Sequence, residues 1–337
     1  MSLEARLSAL EPAVREARRE LGIPSEARLG DLVRTRLGEE GFKADPGRMT
    51  VTPASLARLY ELRARHLDWT YETGYLGFFA PNPGTRYSFR RRLEEQLDLL
   101  PSHPAGTLLE VGCGAGILSV LAAPRFARVV GTDVSRTAIA FARRFAEAAG
   151  AANVTFAVAE AERLPFPDGA FSAAVCGEVI GHVADPRGAA SELGRVTGAG
   201  ATLVLSTPCA FSFTRAALGM AALFRPGLQG HREEQVDRRI GSILRETGEE
   251  VSPEKLLRLK KHFRYGRLVE LMGSTGMRLR DARGAALDLP PAALIYPMLP
   301  PWGLKGLRGM ERALNRIGLL PRFFSISTIF QFEKPLG

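Results

Sequence analysis

The stretch Thr107-Leu-Leu-Glu110-Val-Gly112-Cys113-Gly114-Ala-Gly116-Ile117-Leu-Ser119 decides the fold class. An apolar run ends on a carboxylate, three glycines follow at every second position, and a second apolar run begins. A short apolar run bounded by glycine reads as a buried strand, and the glycines leaving it let backbone pass close to a ligand where a Cβ would clash. The spacing then separates ligand classes. A dinucleotide fingerprint is Gly-x-Gly-x-x-Gly, with the pyrophosphate on the helix N-terminus. Here the order is Gly-x-Gly-x-Gly, residue 117 is Ile, and Glu110 precedes the first glycine. A carboxylate at that rim repels a pyrophosphate and suits an ammonium or a sulfonium. No Gly-Lys-Ser/Thr follows, which excludes a P-loop.

Strand and helix patterns alternate outward from this turn. Residues 128–134, 154–160, 171–179 and 201–208 read as strands, and 116–125, 136–150 and 186–196 as helices, with Ser135 capping the second of these. Alternation of this length implies a parallel sheet with helices on both faces. One more helix and strand follow over 265–284, and the β-rich stretch 324–335 predicts a final strand.

Residues 1 to about 100 read as a helical N-terminal cap or lid, and 101–337 as the core domain, with a helical insertion over about 209–260. Leu3, Leu7, Leu10, Val14, Ala17 and Leu21 share one helix face, and Pro12 is expected to kink or restart that helix. Ser25 and the neighbourhood of Pro53 are expected to open two further helices. Residues 71–87, aromatic and rich in glycine and proline, read as a loop, and 88–101 as a helix entering the core.

Asp133 lies 21 residues past Gly112, at the end of the second strand, where a carboxylate can accept hydrogen bonds from ribose hydroxyls. A third segment, Val158-Ala-Glu160-Ala161-Glu-Arg-Leu-Pro-Phe-Pro-Asp-Gly, runs into the fourth strand, which ends at Glu178 and is followed by His182. With these residues the sequence resembles the class I S-adenosylmethionine-dependent methyltransferases, in particular the branch with small-molecule, quinone or lipid acceptors. The resemblance is tight over about Leu108 to Pro208 and loose from His262 onward. It implies a Rossmann-like, doubly wound, mostly parallel seven-stranded sheet with an antiparallel last strand, and S-adenosylmethionine as cofactor. It also implies that Glu110, Gly112, Cys113, Gly114 and Gly116 approach the methionine end, that Asp133 takes the ribose and that Val134 packs on adenine. Glu160 and Ala161 would meet the adenine edge, and Glu178 would face cofactor and acceptor. Glu160 is one methylene longer than the family's usual Asp. The second carboxylate of a Glu-x-x-Glu-His run is Gly181 here, so no metal site is expected.

A general base would help transfer to a hydroxyl, and His182 is the candidate among five histidines, with packing against the following helix as the equal alternative. Tyr75, Tyr87 and His262 are candidate acceptor contacts, against ordinary packing for the tyrosines.

The formal net charge of +9 invites nucleic acid, an anionic membrane or an acidic substrate, but the arginines are interspersed with acids along helical segments. Nucleic-acid amine methylation requires an Asn/Asp-Pro-Pro-aromatic loop after the fourth strand; this chain has Cys176-Gly-Glu-Val, so no nucleic acid is expected. Apolar segments flanked by Arg and Lys, such as 291–309, suit a hydrophobic acceptor or transient contact with a membrane surface. Three scattered cysteines, a charged N-terminus without a long apolar core, and no uncharged apolar run of spanning length predict a cytoplasmic protein, peripheral to the membrane at most. The acceptor and the oligomeric state are left open. A non-catalytic cofactor-binding protein of the same fold and an NAD-dependent oxidoreductase are the competing readings.

Overall fold

A computed structural model describes residues 2–23, 57, 60, 61, 64, 75–80, 83–209, 263–287, 301–321 and 325–336. The helix expected from Ser25, nearly all of the 209–260 insertion and His262 lie outside the described residues, whereas Ala57, Tyr60, Glu61 and Ala64, within the helix expected to open near Pro53, are helical.

The described strands are β1 (His103–Val111), β2 (Phe126–Asp133), β3 (Val154–Val158), β4 (Phe171–Gly177), β5 (Thr197–Pro208), β6 (Arg278–Leu287) and β7 (Ser325–Glu333). They form one seven-stranded sheet in the order β3-β2-β1-β4-β5-β7-β6. β1 to β5 pair in parallel, and β7 runs antiparallel to both β5 and β6. This is the doubly wound sheet with an antiparallel last strand that the sequence predicts. The helices are α1 (Leu3–Glu20), α2 (Pro83–Leu99), α3 (Ile117–Ala122), α4 (Arg136–Ala148), α5 (Pro186–Val196), α6 (Tyr265–Gly273) and α7 (Pro301–Arg316).

Both faces of the sheet are covered, which is why β1 reads as an unbroken apolar run rather than an alternation. Leu108 enters a core with Phe141, Phe145 and Leu93, while its neighbour Leu109 enters the opposite core with Leu193, Leu203 and Met272. Ser135 caps α4 as expected, its hydroxyl accepting from the Ala138 N–H at 3.1 Å.

Two expectations are corrected. The helix does not restart at Pro12: α1 runs through it as one element. Its buried residues Leu7, Ala13, Val14 and Ala17 share one face, and α1 packs along α4, so tertiary burial outweighs the hydrogen bond that proline removes. α2 begins at Pro83, inside the segment read as a loop, and Gly77–Phe79 form a turn of 3-10 helix. Proline is well suited to the first helical turn, where its missing N–H has no partner to lose.

Among the described residues no helix is long and apolar enough to cross a membrane.

Candidate functional site

The sheet order reverses at β1, whose neighbours are β2 on one side and β4 on the other. In open α/β sheets ligands lie beyond the carboxyl ends of the strands at that point. A cavity of about 400 Å3 opens there.

The glycine turn is its floor. Gly112, Gly114 and Gly116 all adopt left-handed backbone, with φ of 73°, 50° and 76°, a conformation that disfavours any residue with a Cβ. Their surroundings differ. A Cβ on Gly112 would strike Val179 in the loop after β4, and one on Gly114 would strike the ring of Tyr75. Gly112 and Gly114 line the cavity, as do Cys113 and Tyr75. Gly116 does not: it caps α3, and Phe156 and Ala142 fill the space a side chain would need. Its glycine serves the packing of α3 and α4 on the sheet.

The turn offers no anion nest. The Gly112 and Cys113 N–H groups both donate to the Thr132 carbonyl, at 2.7 and 2.8 Å, and the Gly116 N–H donates to Cys113 at 2.8 Å. The Gly114 N–H donates to Asp133 Oδ2 at 2.9 Å. A phosphate would need such amides aimed outward.

Carboxylates surround this floor. Glu110, at the end of β1, is buried and accepts from the Ser119 hydroxyl. Burial raises its pKa to about 8, with the nearby Asp133 charge adding to the shift and the Ser119 bonds opposing it. Asp133, also buried, accepts from Gly114 through one oxygen and from the Ser135 N–H, at 3.0 Å, through the other. It is thereby fixed at the lip of β2. Val134, Glu160 and Ala161 line the same cavity.

Glu178 closes the β4 side in left-handed backbone, φ 62°, a strained conformation for a residue with a side chain. Its N–H donates to the Ser206 carbonyl at 3.0 Å, and its Oε1 accepts from the Ser206 hydroxyl at 3.1 Å. Gln96 of α2 donates to the same hydroxyl at 3.1 Å. A chain of three polar side chains thus fixes the end of the fourth strand.

His182 lines the cavity, and its Nδ1 lies 2.7 Å from the hydroxyl of Tyr60. Ala57, Tyr60, Glu61 and Ala64 are helical and spaced to share one face. Glu61 is buried and accepts from the hydroxyls of Ser135 and Thr137, each at 2.8 Å, and from the Thr137 N–H at 3.1 Å. The N-terminal region is therefore bonded to the start of α4, directly beside Asp133.

The candidates thus divide. Glu110, Gly112, Cys113, Gly114, Asp133, Val134, Glu160, Ala161, Glu178, His182 and Tyr75 converge on one cavity. Tyr87 does not line it; it is buried, and its hydroxyl donates to Glu311 of α7 at 3.0 Å. Tyr60, Glu61 and Gln96 went unforeseen. Gln96 carried a helical signal, since Phe89, Leu93 and Gln96 recur at i, i+4 and i+7 on α2 and all line the cavity. The Cys113 and Cys176 thiols are buried, which raises Cys113 well above the ordinary thiol range and Cys176 to about 12, so neither supplies a thiolate nucleophile.

Residues 109–205, from within β1 to within β5, match the family described as methyltransferase domain. Within this stretch the chain carries a methyltransferase domain. It is 38% identical over 124 residues to a demethylmenaquinone methyltransferase of Thermus thermophilus, covering 36% of this chain and 54% of that one. It is 30% identical over 156 residues to a ubiquinone biosynthesis O-methyltransferase of Leptothrix cholodnii, covering 46% and 63%. The chain spans less than two thirds of the length of these relatives. In fold it resembles a SAM-dependent methyltransferase from Thermotoga maritima, with a TM-score of 0.50 and 17% identity over 83% of this chain and 99% of that one.

S-adenosylmethionine is the cofactor of class I methyltransferases, and the cavity fits it. The floor at Gly112 and Gly114 has no Cβ, the amides of Gly112, Cys113, Gly114 and Gly116 are already engaged, and the walls are acidic where a cationic sulfonium and ammonium need counter-charge.

Proposed function

We propose that the protein is an S-adenosylmethionine-dependent methyltransferase acting on a hydrophobic small molecule, such as a quinone, lipid or natural-product precursor, most readily at oxygen. The observation that carries this reading is the acidic, glycine-floored cavity built inside the methyltransferase domain. When bound, the cofactor supplies a methyl group that is already electrophilic on its sulfonium.

The chain's own residues hold and orient. Glu110 and the backbone of Gly112 to Gly114 receive the amino-acid end. Asp133, fixed by Gly114 and Ser135, accepts from the ribose hydroxyls, while Val134, Glu160 and Ala161 receive the adenine. Glu178 and its Ser206–Gln96 support set the border between cofactor and acceptor. His182 is the general base for a hydroxyl acceptor, held by Tyr60. Most of the rate comes from aligning the acceptor with the methyl group, and the region up to residue 100 is a lid that excludes water while this happens. The Phe78 and Phe89 rings, on the acceptor side, suit an apolar body.

Labelled S-adenosylmethionine incubated with the protein and a lipid or quinone extract tests the activity. Label is expected in an organic-soluble small molecule, and His182→Gln is expected to lower that incorporation by about 10²–10⁴-fold while leaving cofactor affinity intact. Label confined to protein or nucleic acid would contradict the acceptor class.

A further inference from the structure

The cavity has two halves of opposite character. The glycine turn, Asp133 and Glu160 belong to β1, β2 and the end of β3, on one side of the sheet. α2 walls the other half: it packs over β5, β7 and β6. The face it turns to the cavity carries Phe89, Arg92, Leu93 and Gln96, at i, i+3, i+4 and i+7.

Arg92 stands out by charge. The cavity is lined by the carboxylates Glu110, Asp133, Glu160, Glu162 and Glu178, and Arg92 is its only Lys or Arg among the described residues. The flanking arginines of α2 are engaged elsewhere. Arg90 donates to the Phe78 carbonyl and pairs with Glu4, and Arg91 pairs with Glu94, Glu95 and Glu311. Arg92 makes no ion pair or hydrogen bond within the described residues. Its guanidinium carbon lies 4.8 Å above the ring of Phe89, which meets Phe78 edge-on at 5.4 Å. Stacking holds a guanidinium in place and leaves its N–H fork available for a carboxylate or phosphate.

We propose that Arg92 receives an anionic group of the methyl acceptor, a carboxylate or a phosphate, while Phe78 and Phe89 take the apolar body attached to it. The acceptor is then an amphiphilic acid rather than a neutral hydrophobe. This rests on the methyltransferase reading above and adds the acceptor's charge to it. Arg92 also offsets the repulsion that the cavity's carboxylates would exert on such an acid.

The test uses the full chain saturated with S-adenosylhomocysteine, titrated by calorimetry with 2-naphthoate, 2-naphthyl phosphate and the neutral 2-naphthamide. Wild type is expected to bind at least one of the two anions about tenfold or more tighter than the amide, the value of one charge-assisted hydrogen-bonded contact. Arg92→Gln is expected to erase that preference and leave affinity for S-adenosylhomocysteine within about twofold, and Arg92→Lys to keep part of the preference. Equal binding of anions and amide by wild type, or an anion preference that survives Arg92→Gln, overturns the proposal. So does a loss of S-adenosylhomocysteine affinity of about tenfold or more in Arg92→Gln, which would assign the residue to the cofactor's own carboxylate. Failure of wild type to bind S-adenosylhomocysteine at all would remove the methyltransferase reading itself.

Discussion

Glu110 is a carboxyl group largely shielded from water at the cavity floor, and its raised pKa of about 8 states the energetic consequence. The folded protein holds a proton there that the unfolded chain, with a carboxyl near its ordinary value of 4.5, has already released. Between those two pH values the native state binds more protons, so this group's contribution to stability falls as pH rises from about 4.5 to about 8. Glu110→Gln keeps an acceptor for Ser119 and removes the charge. It is expected to raise the stability of the ligand-free protein by about 1–3 kcal/mol at pH 8, with the gain fading toward pH 5, in denaturant melts at both pH values. The same residue predicts how a cationic ligand binds. A ligand that favours the ionised form lowers the Glu110 pKa, so wild-type affinity for S-adenosylmethionine is expected to rise from pH 6 to pH 8, and Glu110→Gln to flatten that dependence. At this scale the sequence was explicit about identity but silent about partners. Glu110, Asp133 and Glu178 stand out by their places at strand ends, whereas Ser119, Ser206 and Glu61, which fix them or their neighbours, are ordinary polar residues until the fold brings them close.

α2 shows how an element can be half legible. Its hydrophobic spacing was readable from Ser88 onward, yet its first turn, Pro83 to Tyr87, carries residues that equally mark a loop. The consequence falls on Tyr87, which is a packing residue of the α2–α7 contact rather than a cavity residue. That contact is polar at its centre. Glu311 is buried and accepts from Tyr87, from Arg91 at 2.9 Å and from the Leu287 N–H at 3.1 Å, which ties α7 to α2 and to the end of β6. Burial and the Glu311 charge together raise the Tyr87 pKa, and the surrounding carboxylates raise that of Arg91 against the opposing effect of burial. Removing one member of such a group leaves the others buried without their counter-charge. Glu311→Ala is expected to cost about 3 kcal/mol, the low end for a broken buried ion pair because Glu94 and Glu95 remain beside Arg91, as read by the midpoint of urea unfolding.

At the scale of the whole molecule, strand order and chemistry agree. The sheet reverses at β1, the ligand-facing turn leaves β1, and the residues fixing that turn come from β2, from the loop after β4 and from the N-terminal region. The alternation of strands and helices made the core readable because β1 and β4 at the centre of the sheet are apolar on both faces and α4 and α5 each carry one buried stripe. The bonding of Glu61 to Ser135 and Thr137 was not readable, because contact between residues 74 and 76 apart leaves no periodic trace. It nevertheless joins the N-terminal region to the site and makes that region part of the cavity wall. The central claim is that this cavity receives an adenosyl amino acid and no dinucleotide. A calorimetric titration of wild type and Asp133→Ala with S-adenosylhomocysteine and NAD tests it most directly. Wild type is expected to bind S-adenosylhomocysteine and not NAD, and Asp133→Ala to bind it about 10–100-fold more weakly; binding of NAD alone, or an Asp133→Ala variant with undiminished affinity, would contradict the account.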